Sequence, residues 1–263
     1  MSAYRTLRFE QPCPHVGVLY LERPQVANAI NTEMARELLH YFAALLEDPG
    51  THRCIVLTGS GSKAFCAGGD LKERDGMTRE QWSAQHVLIE RAIVALLECP
   101  VPVIAAVNGA AIGGGCEFAL AADFIYAASS ARFALTETQL GIIPGAGGTQ
   151  TLPRAAGTRR AAELIYTGMP FSADEALEWG IVNRVIAPEQ LLTEAVQSAA
   201  RIAANAPLAI RQAKKVVRIG TQMDLHRGLE FAIEAYNQLV DTNDRREGVR
   251  AFNEKRPPKF TGR

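Results

Sequence analysis

The chain has 263 residues, of which 48% are hydrophobic and 21% are charged, and its formal net charge at pH 7 is zero. This composition is typical of a globular protein and excludes a disordered or fibrous chain, and the length suits one sizeable domain with a large core. A balanced charge provides no overall field that would draw the chain onto nucleic acid or an anionic membrane. The five cysteines are scattered and odd in number, which argues against a disulfide framework.

The N-terminus, MSAYRTLRFE, lacks the apolar core of a signal peptide. The chain also lacks a run of about 18 uninterrupted apolar residues, the length that a membrane-spanning helix needs. We therefore expect a soluble, cytoplasmic protein, or one of the mitochondrial matrix if the source is eukaryotic and a transit peptide has been removed.

The hydrophobic pattern of the first part of the chain predicts strands that alternate with helices. Strands are predicted at 16–21, 54–57, 103–107 and 124–127, and helices at 31–47, 78–98 and 113–122. Asn31 or Thr32 is the expected cap of the first helix, and Thr78 with Gln81 has the spacing of a capping box. Alternation of this kind indicates an α/β fold with parallel strands and crossover helices.

The pattern changes after Pro188. Helices are predicted at 191–204, 208–219 and 223–240, without a strand between them. We therefore divide the chain into an α/β core over residues 1–200 and a helical region over residues 201–263. Because no Gly/Ser-rich or Pro-rich linker separates the two, the helical region should pack on the core or on a neighbouring subunit.

Several common catalytic motifs are missing from the sequence. It contains no P-loop, no complete Gly-x-Gly-x-x-Gly fingerprint and no Gly-x-Ser-x-Gly elbow. The five histidines do not have the spacing of metal ligands. We therefore expect neither a metal ion nor a separate cofactor.

Two glycine-rich segments each follow a predicted buried strand. The first is FCAGGDL at 65–71 and the second is GAAIGGGCE at 109–117, which opens a helix. Each could be an ordinary strand-to-helix turn. Glycine also lets a ligand approach the backbone, and a helix N-terminus presents N–H groups without partners. One N–H donor from each segment would make an oxyanion hole, which stabilises the negative oxygen that a thioester carbonyl develops on becoming an enolate.

Two glutamates lie in mainly uncharged surroundings near these turns. Glu117 is flanked by Cys116 and Phe118, and Glu137 lies in the segment ALTETQLG at 134–141. Each glutamate alone is better explained by a helix dipole or a local turn than by catalysis. As a pair, carboxylates in different environments can divide the roles of acid and base between them. The residues themselves do not identify the substrate.

The same segments resemble the enoyl-CoA hydratase/isomerase family, also called the crotonase family. The segments that carry the resemblance are ERP at 22–24, NA at 28–29, FCAGGDL at 65–71, AIGGGCE at 111–117, Glu137 with GIIPGAGGTQ at 141–150, DRREG at 244–248 and AFNEKR at 251–256. Each is weak alone, but together and in this order they are highly specific. Position 69 is Gly where many members have Ala, and position 136 is Thr where many have Pro.

The resemblance implies a crotonase-like spiral of ββα units with a C-terminal helical region that forms trimers or hexamers. It implies an enoyl-CoA hydratase, a hydro-lyase that adds water to a 2-enoyl-CoA thioester, with coenzyme A as part of the substrate. Glu117 and Glu137 would be the catalytic acids, and the N–H groups of Ala67 and Gly114 would form the oxyanion hole. The substrate-binding residues would be Ala67, Gly68, Gly69, Asp70, Leu71, Gly114, Arg23, Ala27 and Lys255.

Other functions within the family stay open. DLKER at 70–74 and EKRPP at 254–258 resemble the branch of methylglutaconyl-CoA hydratases, which act in leucine breakdown, and of an RNA-binding homologue. An enoyl-CoA isomerase normally needs one acid, so two glutamates favour a hydratase. A basic helix face, formed by Arg211, Lys214, Lys215 and Arg218, could bind phosphates of CoA or RNA. A solvated helix face is the favoured explanation at zero net charge, and nucleic acid is not the expected partner.

Overall fold

The structure, a computed structural model, describes residues 4–263. Within them, the strands in chain order are β1 (Leu7–Cys13), β2 (Val16–Leu21), β3 (Cys54–Gly59), β4 (Ala64–Cys66), β5 (Val103–Val107), β6 (Ala110–Ile112), β7 (Phe124–Ala128), β8 (Arg132–Ala134), β9 (Phe171–Ser172) and β10 (Arg184–Ile186). The α-helices are α1 (Thr32–Glu47), α2 (Leu71–Arg74), α3 (Arg79–Glu98), α4 (Gly114–Ala121), α5 (Gly148–Ala156), α6 (Thr158–Thr167), α7 (Ala173–Glu178), α8 (Leu191–Ala203), α9 (Pro207–Lys215), α10 (Leu225–Val240) and α11 (Asn243–Asn253).

The strands form two sheets. The larger has the order β1-β2-β3-β5-β7-β10, and the smaller has the order β4-β6-β8-β9. Pairing is parallel throughout except for β1 with β2 and β8 with β9. Strands β2, β3 and β5 are buried along their whole length, because helices cover the sheet, and this explains their continuous apolar sequences.

The chain winds through both sheets in successive turns. Strands β3 and β4 are followed by α2 and α3, strands β5 and β6 by α4, and strands β7 and β8 by α5 and α6. Each turn therefore gives one strand to each sheet before a helix returns the chain. This is the spiral of ββα units that the resemblance implied, and it brings the ends of β4 and β6 side by side.

The long elements follow the sequence prediction closely. Asn31 caps α1 through a bond from the N–H of Met34, and Thr78 and Gln81 form the predicted capping box at α3. The prediction missed β1, the longest strand with seven residues, as well as the short strands β4, β6, β8, β9 and β10 and the helices α5, α6 and α7. The loop predicted from residue 65 begins as strand, because β4 continues through Cys66 before the glycines.

The helical region begins with α8, whose small residues Ala195, Ala199 and Ala203 are buried against the larger sheet. The division drawn at residue 200 therefore falls inside a helix that packs on the core. Helix α9 continues as a π-helix over Val216–Gly220, and α11 follows the last predicted helix. Among residues 4–263, no helix is long and apolar enough to cross a bilayer.

Candidate active site

A cavity of about 790 Å³ opens where the two glycine-rich segments meet. Its walls come from the loop after β4, the start of α4, the turn around residue 137, the segment 142–146 and one face of α3. The predicted residues that line it are Ala67, Gly68, Gly69, Leu71, Gly114, Glu117 and Glu137. Both predicted acids and both glycine-rich segments are therefore in one place.

Close packing between the two segments requires glycine at position 68. Gly68 has a φ of +87°, and a Cβ there would lie 2.7 Å from the carbonyl oxygen of Ile112 and 3.2 Å from the nitrogen of Gly114. Both the backbone conformation and the contact exclude a larger residue. The backbone of this loop therefore packs directly on the start of α4, with no side chain between the two segments.

The backbone N–H of Ala67, predicted as an oxyanion-hole donor, is already engaged. It donates to the carbonyl oxygen of Ala27 at 3.0 Å. Ala27 has a positive φ of 52°, which turns its carbonyl toward the loop. Ala67 still lines the cavity, but its N–H points to Ala27, so this donor assignment needs correction.

Gly69 has an N–H in the right place instead. The N–H of Ile30 donates to the carbonyl of Gly68 at 2.7 Å, and the N–H of Asp70 donates to the carbonyl of Ile30 at 2.9 Å. In this parallel bridge the N–H of Gly69, between the two, points away from Ile30. It makes no hydrogen bond with any residue in 4–263, and Gly69 lines the cavity.

The second donor is the N–H of Gly114, the first residue of α4. N–H groups in the first turn of a helix have no hydrogen-bond partner within the helix. The Gly114 N–H makes no hydrogen bond with any described residue. A Cβ on Gly114 would lie 3.8 Å from the nitrogen of Gly69, so the two N–H groups belong to adjoining backbone segments. Together with the positive end of α4, they could hold a developing oxyanion.

Glu117 is buried one turn into α4, with 2% of its surface exposed. Its Oε1 accepts hydrogen bonds from the N–H groups of Ala146 and Gly148, both at 2.8 Å. Burial raises the pKa of Glu117 to about 7, and the charge of Glu137 adds to the rise, while the two N–H groups oppose it. A carboxyl group with this pKa can exchange a proton near neutral pH.

Glu137 opens a short 3₁₀-helix, Glu137–Leu140, and lines the same cavity. It is 8% exposed, and its Oε2 is buried without a hydrogen-bond partner in the described chain. Burial raises the pKa of Glu137, and a bond from its own N–H and the charge of Arg74 offset this only in part. A Cβ on Gly113 would lie 3.0 Å from Oε1, so glycine there makes room for the carboxyl group.

Four other predicted residues do not line the cavity. Arg23 donates to Asp70 at 2.9 Å and to the carbonyl of Ala29 at 2.5 Å, and Asp70 caps α2. Burial raises the pKa of Asp70, but the bond from Arg23 outweighs it and the pKa is lowered. The first glycine-rich loop is therefore supported by Arg23, Asp70 and Ala27, which lie outside the cavity. Lys255 is exposed after α11, with a φ of 54°.

Several side chains line the cavity without having been named as site residues, and three of them are polar or aromatic groups on one wall. Arg74, Trp82 and His86 line one wall, with the Trp82 and His86 rings stacked at a centroid distance of 5.2 Å. Their spacing of four residues on α3 places Trp82 and His86 on one helix face. One indication of this wall in the sequence was Gly69, because a residue without a Cβ leaves room for the Arg74 guanidinium.

The family of this chain is established by the length over which a family model matches it. A family model described as enoyl-CoA hydratase/isomerase matches residues 14–263. The chain belongs to the enoyl-CoA hydratase/isomerase family. This confirms the resemblance found in the sequence, and the structure confirms the crotonase-like α/β fold with helices at its C-terminal end.

Other members of the enoyl-CoA hydratase/isomerase family match over nearly their whole length. The chain is 48% identical to Bacillus subtilis YngF, whose name places it among enoyl-CoA hydratases/isomerases, over 94% of this chain and 95% of that protein. It is 40% identical to the crotonyl-CoA hydratase of Syntrophomonas wolfei over 98% of both chains. The crystal structure of an enoyl-CoA hydratase from Bacillus anthracis has a TM-score of 0.96 at 46% identity, covering 98% of this chain and 100% of that one.

Proposed function

We propose that this protein is an enoyl-CoA hydratase, which adds water reversibly to a 2-enoyl-CoA thioester and gives a 3-hydroxyacyl-CoA. The observation that carries the proposal is the placement of two buried carboxyl groups, Glu117 and Glu137, in one cavity with two backbone N–H groups that have no hydrogen-bond partner within residues 4–263. The crotonyl-CoA hydratase of Syntrophomonas wolfei, at 40% identity, supports a short enoyl thioester as substrate.

The N–H groups of Gly69 and Gly114 would bind the thioester oxygen. When water adds to Cβ, the electron pair of the double bond moves toward the carbonyl and negative charge develops on this oxygen. Fixed N–H donors stabilise that charge more than they stabilise the neutral substrate, and this lowers the barrier. The backbone supplies both donors, so their positions depend on the packing of Gly68 against Ile112 rather than on a mobile side chain.

Glu117 and Glu137 would handle the water and its protons. The water oxygen bonds to Cβ, one carboxylate accepts the proton that the water loses, and the other carboxyl group delivers a proton to Cα. Glu117 is held through Oε1, which leaves Oε2 for the water, and Oε2 of Glu137 has no protein partner in the described chain. The pKa of about 7 suits Glu117 to proton transfer near neutral pH, and burial raises the pKa of Glu137 as well.

An isomerase moves the double bond and adds no water, so the products separate the two reactions. Incubation with trans-2-hexenoyl-CoA should give 3-hydroxyhexanoyl-CoA, identified by mass as the substrate plus one water. Formation of 3-hexenoyl-CoA without a hydrated product would overturn the proposal and favour an isomerase.

We also propose that the protein forms trimers, or hexamers of paired trimers, in the cytoplasm. Helix α10 exposes a continuous row of large apolar side chains, and α11 adds one more. These residues are Leu225, Leu229, Ile233, Tyr236 and Phe252. An exposed apolar row on a helix favours burial against another copy of the chain. Light scattering after size exclusion should give three or six times the monomer mass of 28.5 kDa, and a monomer would contradict the assignment.

A further inference from the structure

The cavity contains one strongly basic side chain that the hydration of a simple enoyl thioester does not use. Among residues 4–263, Arg74 is the only lysine or arginine that lines the cavity. The other ionisable groups there are Glu117, Glu137 and His86. An anionic acyl group would be repelled by the two glutamates unless a cation received it.

The guanidinium of Arg74 is held in a fixed position. Its Nε donates to Oε1 of Gln85 at 2.8 Å, and Gln85 is 2% exposed. The amide nitrogen of Gln85 in turn donates to Glu73 at 2.7 Å, which fixes the orientation of the amide. The Arg74 Cζ also lies over the Trp82 ring, 5.4 Å from the ring centroid. The guanidinium is therefore preorganised before any ligand arrives.

Gly69 places this group next to the thioester site. A Cβ at position 69 would lie 2.8 Å from Cζ and 2.9 and 3.1 Å from the two terminal nitrogens of Arg74. The alanine common at this position in the family would collide with the guanidinium. The guanidinium thus lies against Gly69, the residue whose N–H would hold the thioester oxygen.

The two terminal nitrogens of Arg74 remain free to bind a ligand. Neither donates a hydrogen bond to any residue in 4–263, and Glu73 and Glu137 influence Arg74 through charge alone. Arg74 is partly buried and lines the cavity, where water or an anionic group of a ligand can accept hydrogen bonds from these donors. Its planar pair of N–H groups matches a carboxylate in bidentate geometry. A plain alkyl chain would satisfy neither the charge nor the donors.

We propose that Arg74 binds a free carboxylate at the distal end of a short acyl chain, so that the preferred substrates are carboxylated 2-enoyl-CoA thioesters. The inference rests on the proposed hydratase function and narrows it to a substrate class. Arg74 would act by binding and orientation, since it does not take part in the transfer of protons.

The test uses two five-carbon substrates that differ only at the distal end, glutaconyl-CoA with a carboxylate and trans-2-pentenoyl-CoA with a methyl group. The wild type should have the higher kcat/KM for glutaconyl-CoA. Arg74→Met should lower the ratio of the two kcat/KM values about 10- to 100-fold, the range for a lost hydrogen bond to a charged group. The ratio for Arg74→Lys should lie between those of the wild type and Arg74→Met, because lysine keeps the charge without the bidentate geometry.

Arg91→Met is the matched control, since Arg91 lies exposed on α3 away from the cavity and should leave the ratio unchanged. If Arg74→Met lowered kcat/KM equally for both substrates, with a shifted pH profile, Arg74 would act through the charge of Glu137 and the inference would be wrong. A wild type that preferred trans-2-pentenoyl-CoA would also overturn it.

Binding of unreactive saturated thioesters separates this inference from the hydratase proposal. Glutaryl-CoA should bind more tightly than valeryl-CoA by calorimetry, and Arg74→Met should remove the difference. If neither enoyl thioester were hydrated but this binding difference were seen, the hydratase proposal would fail and the carboxylate site would stand. Equal binding of the two saturated thioesters to the wild type would overturn the carboxylate site itself.

Discussion

The N–H of Ala67 donates to the carbonyl of Ala27 at 3.0 Å and joins the loop after β4 to the segment after β2. The bond orients the following residues so that the N–H of Gly69 faces the cavity. The oxyanion hole would therefore be formed by Gly69 and Gly114, and Ala67 would position the first of these donors.

Removal of the Gly114 N–H tests this assignment. Gly114 is the first residue of α4, where proline is tolerated because no helical bond is lost. Gly114→Pro should keep the fold and lower kcat for crotonyl-CoA by about 10²–10³-fold, as for the loss of one oxyanion donor. Gly114→Ala keeps the N–H, and its methyl group would have ordinary contacts at 3.8 Å. Its kcat should therefore fall much less than that of Gly114→Pro. Equal losses in the two variants, measured with circular dichroism as the folding control, would contradict the role of this N–H.

The elevated pKa of Glu117 has a consequence for stability. The folded protein retains this proton up to a pKa of about 7, whereas the unfolded chain releases it near the ordinary value of 4.5. The resulting stabilisation is complete below pH 4.5 and is lost as the pH rises through 7. Glu117→Gln has no titrating group at this position. Between pH 5 and pH 8, the free energy of unfolding of the wild type should therefore fall by up to about 3 kcal/mol relative to that of this variant.

Urea unfolding of the wild type and Glu117→Gln at one protein concentration, at pH 5, 6, 7 and 8, checks the sign and size of this change. A difference in the free energy of unfolding that stays constant across the series would show that Glu117 titrates at its ordinary value. A wild type that gained stability relative to the variant as the pH rose would contradict the direction.

Lys214 belongs to the basic face that could have bound phosphates, but its charge is already paired. Its Nζ donates to Asp123 at 2.7 Å and to the carbonyl of Val101 at 2.9 Å, and the side chain is 9% exposed. Lys214→Met should therefore cost about 2–3 kcal/mol of stability, because Asp123 would lose its partner. Lys215→Met, at an exposed position, should cost less than about 1 kcal/mol.

Filter binding with single-stranded RNA at low salt completes this test. We expect no salt-dependent RNA binding by the wild type, since Lys214 is paired within the protein. Salt-dependent binding that is abolished in Lys214→Met and Lys215→Met would instead support the RNA-binding alternative.

Local patterns predicted the long elements of this fold well. Helix α3 carries its own capping box, and buried strands such as β5 are continuous apolar runs, so each is recognisable within one segment. Strand β6 has only three residues and exists because it pairs with β4 and β8, which lie far away in the chain. No local pattern marks such a strand.

The site shows the same difference between local and distant information. Glu117 and Glu137 were found because isolated acids among apolar residues and glycines are visible in the sequence. The engagement of the Ala67 N–H was missed because its partner, Ala27, is forty residues earlier and has an unusual positive φ. The position of Arg74 against Gly69 could be seen only after folding, although the glycine at 69 was a departure from the family pattern.

The central claim is that Glu117 and Glu137 together carry out hydration, and the most direct measurement is the rate of crotonyl-CoA hydration by Glu117→Gln and Glu137→Gln. Each variant keeps the size and hydrogen-bonding capacity of the side chain and removes its ability to exchange a proton. We expect kcat to fall by about 10²–10⁴-fold in each, with an unchanged circular dichroism spectrum. A folded variant of either kind that hydrates crotonyl-CoA at close to the wild-type rate would contradict the two-acid mechanism.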